Sequence, residues 1–187
     1  MNHYFRLLWT ALFGRLRTAV PALGPCRTPF RVLPTDLDLL RHVNNGTYLS
    51  LMDLGRVDLM RRSGLLARIA AQGWYPVVTA ETIQFRRSLT LWQRFTIVTR
   101  VIGWDDRAIL VEQRFERGGE TIAQAYVRAR FLRREGGSVP TADLMALAGI
   151  SDDDMPVMPP RAARWNADNA SWAGDEAAEA ANGSRGA

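Results

Sequence analysis

The sequence predicts an α+β fold in which one antiparallel sheet wraps a single long helix, and three observations carry that expectation. Between Gly46 and about Arg62 the apolar positions Tyr48, Leu51, Met52, Gly55 and Leu59 recur three and four residues apart, and Leu49, Leu54, Val57 and Met60 widen the face. Four strand-like runs follow, Tyr75–Leu89, Gln93–Trp104, Arg107–Arg117 and Thr121–Arg133. Turn signals at Asp105-Asp106 and Gly118-Gly119 fold neighbouring runs into hairpins. Such a sheet must cover one face, and this helix is the only element apolar enough to do so.

Composition bounds the function before any motif is read. At 187 residues, 47% hydrophobic and 23% charged, the chain has the make-up of one ordinary soluble domain with a buried core. Its net charge is +5, and all 24 basic side chains are arginine. They are scattered along the chain, which argues against a nucleic-acid face while leaving room for a small phosphate-bearing ligand. The single cysteine, Cys26, excludes an internal disulfide framework and a Cys-rich zinc centre. With His3 and His42 as the only histidines, a His-rich metal site is excluded too. Catalysis narrows toward carboxylates, with no metal and no cofactor.

In chain order, residues 1–20 place Tyr4, Phe5, Leu7, Leu8, Leu12 and Leu16 at roughly helical spacing, interrupted by Arg6, Arg15 and Arg17. The uncharged run from Leu7 to Gly14 is far short of the roughly 20 residues that cross a bilayer. Two readings stand side by side: an amphipathic arm lying on a membrane surface or a partner, favoured by Trp9 and the arginines, and a helix folded onto its own domain. Pro21, Gly24 and Pro25 form a linker. Arg27–Leu33 reads as the first strand, with Pro29 tolerable at a sheet edge.

A loop carrying Asp36, Asp38 and His42 leads into the long helix. Asn44 or Asn45 supplies its cap, Asp58 and Arg62 form an acid-first i,i+4 pair, and Ser63-Gly64 ends it. Gly55 in mid-helix implies close approach of another backbone. A shorter helix is expected over Leu65–Gln72 and another over Thr141–Ile150, beyond which Pro156, Pro159 and Pro160 break structure and the tail from Ala173 is small, polar and disordered at its end. The organisation is thus an arm and linker over 1–26, one domain over 27–135 and an extension over 136–187.

With loop and strands in place, the chain resembles the 4-hydroxybenzoyl-CoA-thioesterase-like branch of the hotdog superfamily, nearest the group around thioesterase superfamily member six and its bacterial relatives. The resemblance rests on Asp36-Leu37-Asp38, His42-Val43-Asn44-Asn45, Tyr48 ten positions after Asp38, Asp53-Leu54-Gly55-Arg56, Phe85-Arg86-Arg87-Ser88-Leu89 and Gly103-Trp104-Asp105-Asp106-Arg107. It covers about Phe30 to Arg133. It implies a hotdog fold, hydrolysis of acyl-CoA or acyl-carrier thioesters, and homodimers or tetramers whose sheets join edge to edge with pockets at the subunit interface.

Asp38 matches the family's catalytic carboxylate, with His42 as the histidine four residues on. Leu40 stands where plant acyl-carrier-protein thioesterases have asparagine, and Asp53 replaces the helix glutamate of many bacterial relatives. Asp38 would attack the carbonyl or activate water, and amides at the helix N-terminus would hold the developing oxyanion. Asn44, Asn45, Gly46 and Tyr48 are candidate substrate contacts, and Arg86 and Arg87 candidate partners for coenzyme A phosphates. Ordinary roles compete: Asp36 and Asp38 as turn formers, Asn44 and Asn45 as caps, Tyr48 as core, and Asp53 with Arg56 as an internal ion pair. The expected location is cytoplasmic, with peripheral membrane contact through residues 1–20. A non-catalytic acyl-CoA or lipid binder is the rival reading, and a hydroxyacyl-thioester dehydratase ranks below it.

Overall fold

The computed structural model describes residues 18–183, with the side chains of 172–183 excepted. The helical arm expected over residues 1–20, and with it the membrane contact assigned to that arm, therefore lies almost wholly outside the described residues.

Six strands form one antiparallel sheet: β1 (Cys26–Arg31), β2 (Trp74–Phe85), β3 (Arg94–Trp104), β4 (Ile109–Arg117), β5 (Glu120–Arg133) and the short β6 (Ser138–Val139). The spatial order is β1-β3-β4-β5-β2, with β6 paired to β5. The expected hairpins β3–β4 and β4–β5 are present, but β2 is not the first strand of the meander. It crosses to the far edge and pairs with β5 from Trp74↔Arg133 to Phe85↔Ala123. Local turn chemistry fixes hairpins, whereas the long loop after Phe85 leaves the position of β2 to whichever edge buries it. β1 forms the other edge, so Pro29, which lacks an N–H for the ladder, sits where that loss is tolerated.

Helix α1 (Asn45–Arg62) lies in the concave face of this sheet and buries Tyr48, Leu51, Met52, Leu54, Gly55, Asp58 and Leu59. Leu51, Met52 and Leu54 share one core cluster with Ile97, Val111, Phe115 and Val127 of the sheet. This is the hotdog arrangement that the sequence predicts. The approach is close enough to require glycine: a Cβ on Gly55 would stand 2.9 Å from both Gln113 Nε2 and Thr99 Oγ1. Gln113, wholly buried, donates through Nε2 to the Met52 carbonyl at 2.9 Å and to Thr99 Oγ1 at 3.0 Å.

At its far end α1 is held by ions. Asp58 is 0% exposed and lies 3.6 Å from Arg62 NH1, the acid-first pair expected from spacing. Thr28 donates to Asp58 Oδ2 at 2.7 Å. Burial, and after it the charge of Asp58, pushes the neighbouring Cys26 thiol up to about 11. Arg62 also donates through Nε to the Thr18 carbonyl at 2.9 Å, tying the entering chain to the helix.

Ser63 and Gly64, the latter at φ +73, end α1 and lead into α2 (Leu65–Ala71). After β6, helix α3 (Thr141–Ala148) packs Leu144 and Met145 into the main core. The final element corrects an expectation. Residues from Pro160 do not break structure but begin α4 (Pro160–Gly183). Proline stands in its first turn, where no N–H is needed and the fixed φ is already helical. Ala162 and Trp165 of α4 cover Ile102, Leu110 and Tyr126 on the outer face of the sheet. Gly103, at φ +150, makes room there, because a Cβ would lie 2.6 Å from Met158 Cε.

Candidate active site

Residues 33–47 build the site locally. Pro34–Asp36 is a single 3-10 turn in which Asp36, 4% exposed, accepts the Leu33 N–H on Oδ2 at 2.7 Å. The Asp36 carbonyl accepts the Asn44 N–H at 2.8 Å, so this residue clips the two ends of the loop together. Asp38 shapes what lies between. Its Oδ1 accepts the N–H groups of Leu40 at 2.9 Å and His42 at 3.1 Å, the side-chain-closed turn that short acids favour. Arg41 takes φ +62 to complete it. The second carboxylate oxygen, Oδ2, has no hydrogen-bond partner among the described residues.

Asn44 caps α1, accepting the Gly46 N–H on Oδ1 at 2.8 Å and the Thr47 N–H on its carbonyl at 2.9 Å. The cap leaves the Asn45 N–H, first of the helix, to other acceptors. Asn44 and Gly46 are thus occupied with the helix end and stay out of the cleft lining.

Asp38, His42, Asn45, Tyr48, Arg86 and Arg87 come together around one open cleft of about 310 Å³. Tyr48 is its floor more than its wall: it is 2% exposed and packs 5.0 Å from the Phe85 ring and 4.9 Å from Phe115. Burial raises its phenol above the ordinary value, against a backbone hydrogen bond with Leu89 that lowers it. Arg86 donates to Gln124 Oε1 at 3.2 Å, and Arg87 pairs with Glu120 at 3.1 Å across open solvent. Sequence reasoning passed over Ser88 as a cleft residue, although it stands inside the quoted Phe85-to-Leu89 motif.

A second space lies farther along α1. It is an apolar cavity of about 140 Å³ between Val57 and Met60 of the helix, Val111 and Phe131 of the sheet, and Leu144 and Ala148 of α3. No pattern in the sequence marks it, because it exists only where α3 folds back. Asp53 and Arg56 also line it. Arg56 pairs with Asp53, donates through NH1 to Gln113 Oε1 at 2.7 Å and lies 4.0 Å from Glu81 of β2. Burial raises the Glu81 carboxyl above its usual range in spite of Arg56. One seam between α1 and β2 therefore runs from Tyr48 and Phe85 at the cleft, past Arg56 and Glu81, to Val57 and Val78 at the cavity.

A family model described as thioesterase-like superfamily matches residues 32–169. Protein THEM6 of Xenopus laevis is 49% identical over 84 residues, 45% of this chain and 41% of that protein. Protein THEM6 of Drosophila melanogaster is 30% identical over 131 residues, 69% of this chain and 66% of that protein. The matches thus span less than two thirds of those relatives' own lengths. Among solved structures, a probable thioesterase from Bartonella henselae superposes with a TM-score of 0.57 at 25% identity, covering 62% of this chain and 97% of that one. The match takes in the loop, the central helix, the sheet from β2 to β6 and the start of α4, and on it the chain belongs to the thioesterase-like superfamily.

Proposed function

We propose that this chain hydrolyses an acyl-CoA thioester to the free acid and thiol, with Asp38 as the central group. The observation that carries the reading is the state of that carboxylate. One oxygen is fixed by two backbone N–H groups, and the other is unoccupied beside an open cleft at the N-terminus of α1. An oxygen so held is oriented without being neutralised. It either attacks the thioester carbonyl, displacing thiolate to leave an anhydride that water then opens, or takes a proton from water as that water attacks. The Asn45 N–H and the positive end of the α1 dipole would hold the carbonyl oxygen as it gains charge.

The rim suits a phosphate-bearing leaving group. Arg87 and Glu120 expose 64% and 54% of their side chains, and such a pair is worth only about 0–1 kcal/mol. A coenzyme A phosphate would displace Glu120 at little cost. The acyl part would lie along the seam between α1 and β2, past Arg56 and Glu81, toward the apolar 140 Å³ cavity. A second copy of the chain is the partner this reading requires. β2 is an open edge strand of 12 residues with Tyr75, Val78 and Phe85 exposed, and an edge of that length calls for pairing.

The test is thiol release from short, medium, long and aromatic acyl-CoAs, comparing the native chain with Asp38→Asn. Asparagine keeps an acceptor for the Leu40 and His42 amides, so the loop survives while base and nucleophile are lost. Turnover should fall by about 10²–10⁴-fold. Undiminished turnover removes Asp38 from the chemistry, and binding of acyl-CoA without turnover in the native chain gives the function to the non-catalytic lipid-binding reading.

A further inference from the structure

Two turns beside the cleft present apolar side chains to water. Leu39 is fully exposed, Leu40 is 76% exposed and Trp92 is 53% exposed. They belong to one place. An antiparallel bridge joins His42 to Thr90, which sets Leu40, two residues before it, and Trp92, two residues after, at the same end of the sheet. Arg41 and Trp92 are the two non-glycine residues with left-handed φ among the described residues, both at +62. The fold holds both turns in a conformation that ordinary residues avoid, and the outcome is an outward apolar tip.

The charge around this tip is predominantly positive. Arg41 is within it, Arg94 starts β3 two residues after Trp92, and Arg86 and Arg87 stand across the cleft from Asp38. All four are exposed. The acids close by are committed: Asp36 is buried on the Leu33 N–H, Asp38 closes its own turn, and Glu120 pairs with Arg87. Leucines and a tryptophan ringed by arginines match the chemistry of a bilayer interface, where apolar tips enter the acyl boundary, indole sits at headgroup level and guanidinium groups meet anionic lipid. A second copy of the chain fits less well. Of the two edges, the 12-residue β2 is the one that calls for pairing, whereas Trp92 and Arg94 adjoin the six-residue β1 edge and β3.

We propose that the Leu39–Arg41 and Trp92 turns form a lipid-facing tip that seats the cleft on an anionic bilayer surface. The tip is built from residues other than 1–20 and does not depend on Asp38 being catalytic. On a membrane it places the cleft mouth at the lipid–water boundary, where acyl chains partition.

The experiment uses the full chain with Leu39→Cys, labelled with an environment-sensitive fluorophore; the only native thiol, Cys26, is buried. Glu135→Cys, exposed in the β5–β6 turn, serves as the water-facing control. With phosphatidylserine-containing vesicles the label at 39 should shift to the blue and the label at 135 should not. Adding Arg41→Glu and Arg94→Glu should raise the lipid concentration needed for half of that shift at least about tenfold. Protein that sediments with vesicles while the label at 39 stays in water overturns the proposal, because the arm alone then binds. A blue shift without lipid that reverses on dilution also overturns it, because the tip then belongs to a second copy. Neither outcome bears on hydrolysis of soluble acyl-CoA, which the Asp38→Asn assay decides by itself.

Discussion

Arg56 NH1 donates to Gln113 Oε1 at 2.7 Å, joining the middle of the central helix to the middle of the sheet through a wholly buried amide. Gln113 spends its amide nitrogen on the Met52 carbonyl and Thr99, so both ends of one side chain fix how α1 sits in the sheet. A polar bolt of this kind sets register where apolar packing alone would tolerate sliding.

Gly55→Ala should therefore destabilise the fold even though alanine is the better helix former by about 1 kcal/mol. The new Cβ would meet Gln113 Nε2 and Thr99 Oγ1 at 2.9 Å, and both atoms are bonded and enclosed. A net loss of about 1–3 kcal/mol is expected, read from the midpoint of denaturant unfolding. A midpoint equal to or above that of the native chain would show that the helix is free to shift.

Asp58→Ala should cost more, about 3–5 kcal/mol, because Arg62 would remain almost buried without its carboxylate. The same change should free residues 18–20, which Arg62 holds through the Thr18 carbonyl and the Val20 N–H. Limited proteolysis checks the second part: earlier cleavage near Thr18 is expected, and an unchanged pattern would separate that segment from the ion pair.

Acid should loosen α4. Burial pushes the Asp105 carboxyl up, but hydrogen bonds from Arg128, the Arg107 N–H and Asn166 outweigh it and hold the group below its usual range. A depressed acid contributes stability that is present above the unfolded value, about 3.9, and lost as pH falls through the lower folded value. Asn166 belongs to α4 and donates to Asp105 Oδ2 at 3.1 Å, so the loss falls on the docking of that helix. Fluorescence of Trp165 against Tyr126 should change in that acid range, and Asp105→Asn should remove the step while lowering stability at neutral pH. An identical titration in the variant would assign the step elsewhere.

Filling the cavity should trade acyl length for stability. Ala148→Leu projects methyl groups into the 140 Å³ space and should raise stability by up to about 1–2 kcal/mol. Turnover of the longest acyl-CoAs should fall while short ones are unaffected. An unchanged chain-length profile would place the acyl chain outside this cavity.

Much of the architecture was legible in the linear order of residues. The spacing from Tyr48 to Leu59 announced a helix to be enclosed, Asp58 and Arg62 announced their pair, and Asp105-Asp106 and Gly118-Gly119 announced two hairpins; Gly55 announced a close contact, though the side chains of Gln113 and Thr99 make it and not the backbone that was expected. These are local statements, decided within a turn or two of backbone. The loop from Asp36 to Asn44 was legible in the same sense, since short polar side chains that bond nearby amides shape the chain with little help from elsewhere.

Only the folded chain decided the rest. β2 crosses to pair with β5 because its place depends on which edge can cover it, a long-range choice that alternation along one strand does not encode. The helix from Pro160 follows from an outer sheet face with Ile102, Leu110 and Tyr126 to cover, a need unseen until the sheet exists. The cavity beneath α3 and the arginine-ringed tip at Leu39, Leu40 and Trp92 join segments far apart in sequence, so their chemistry arises from packing.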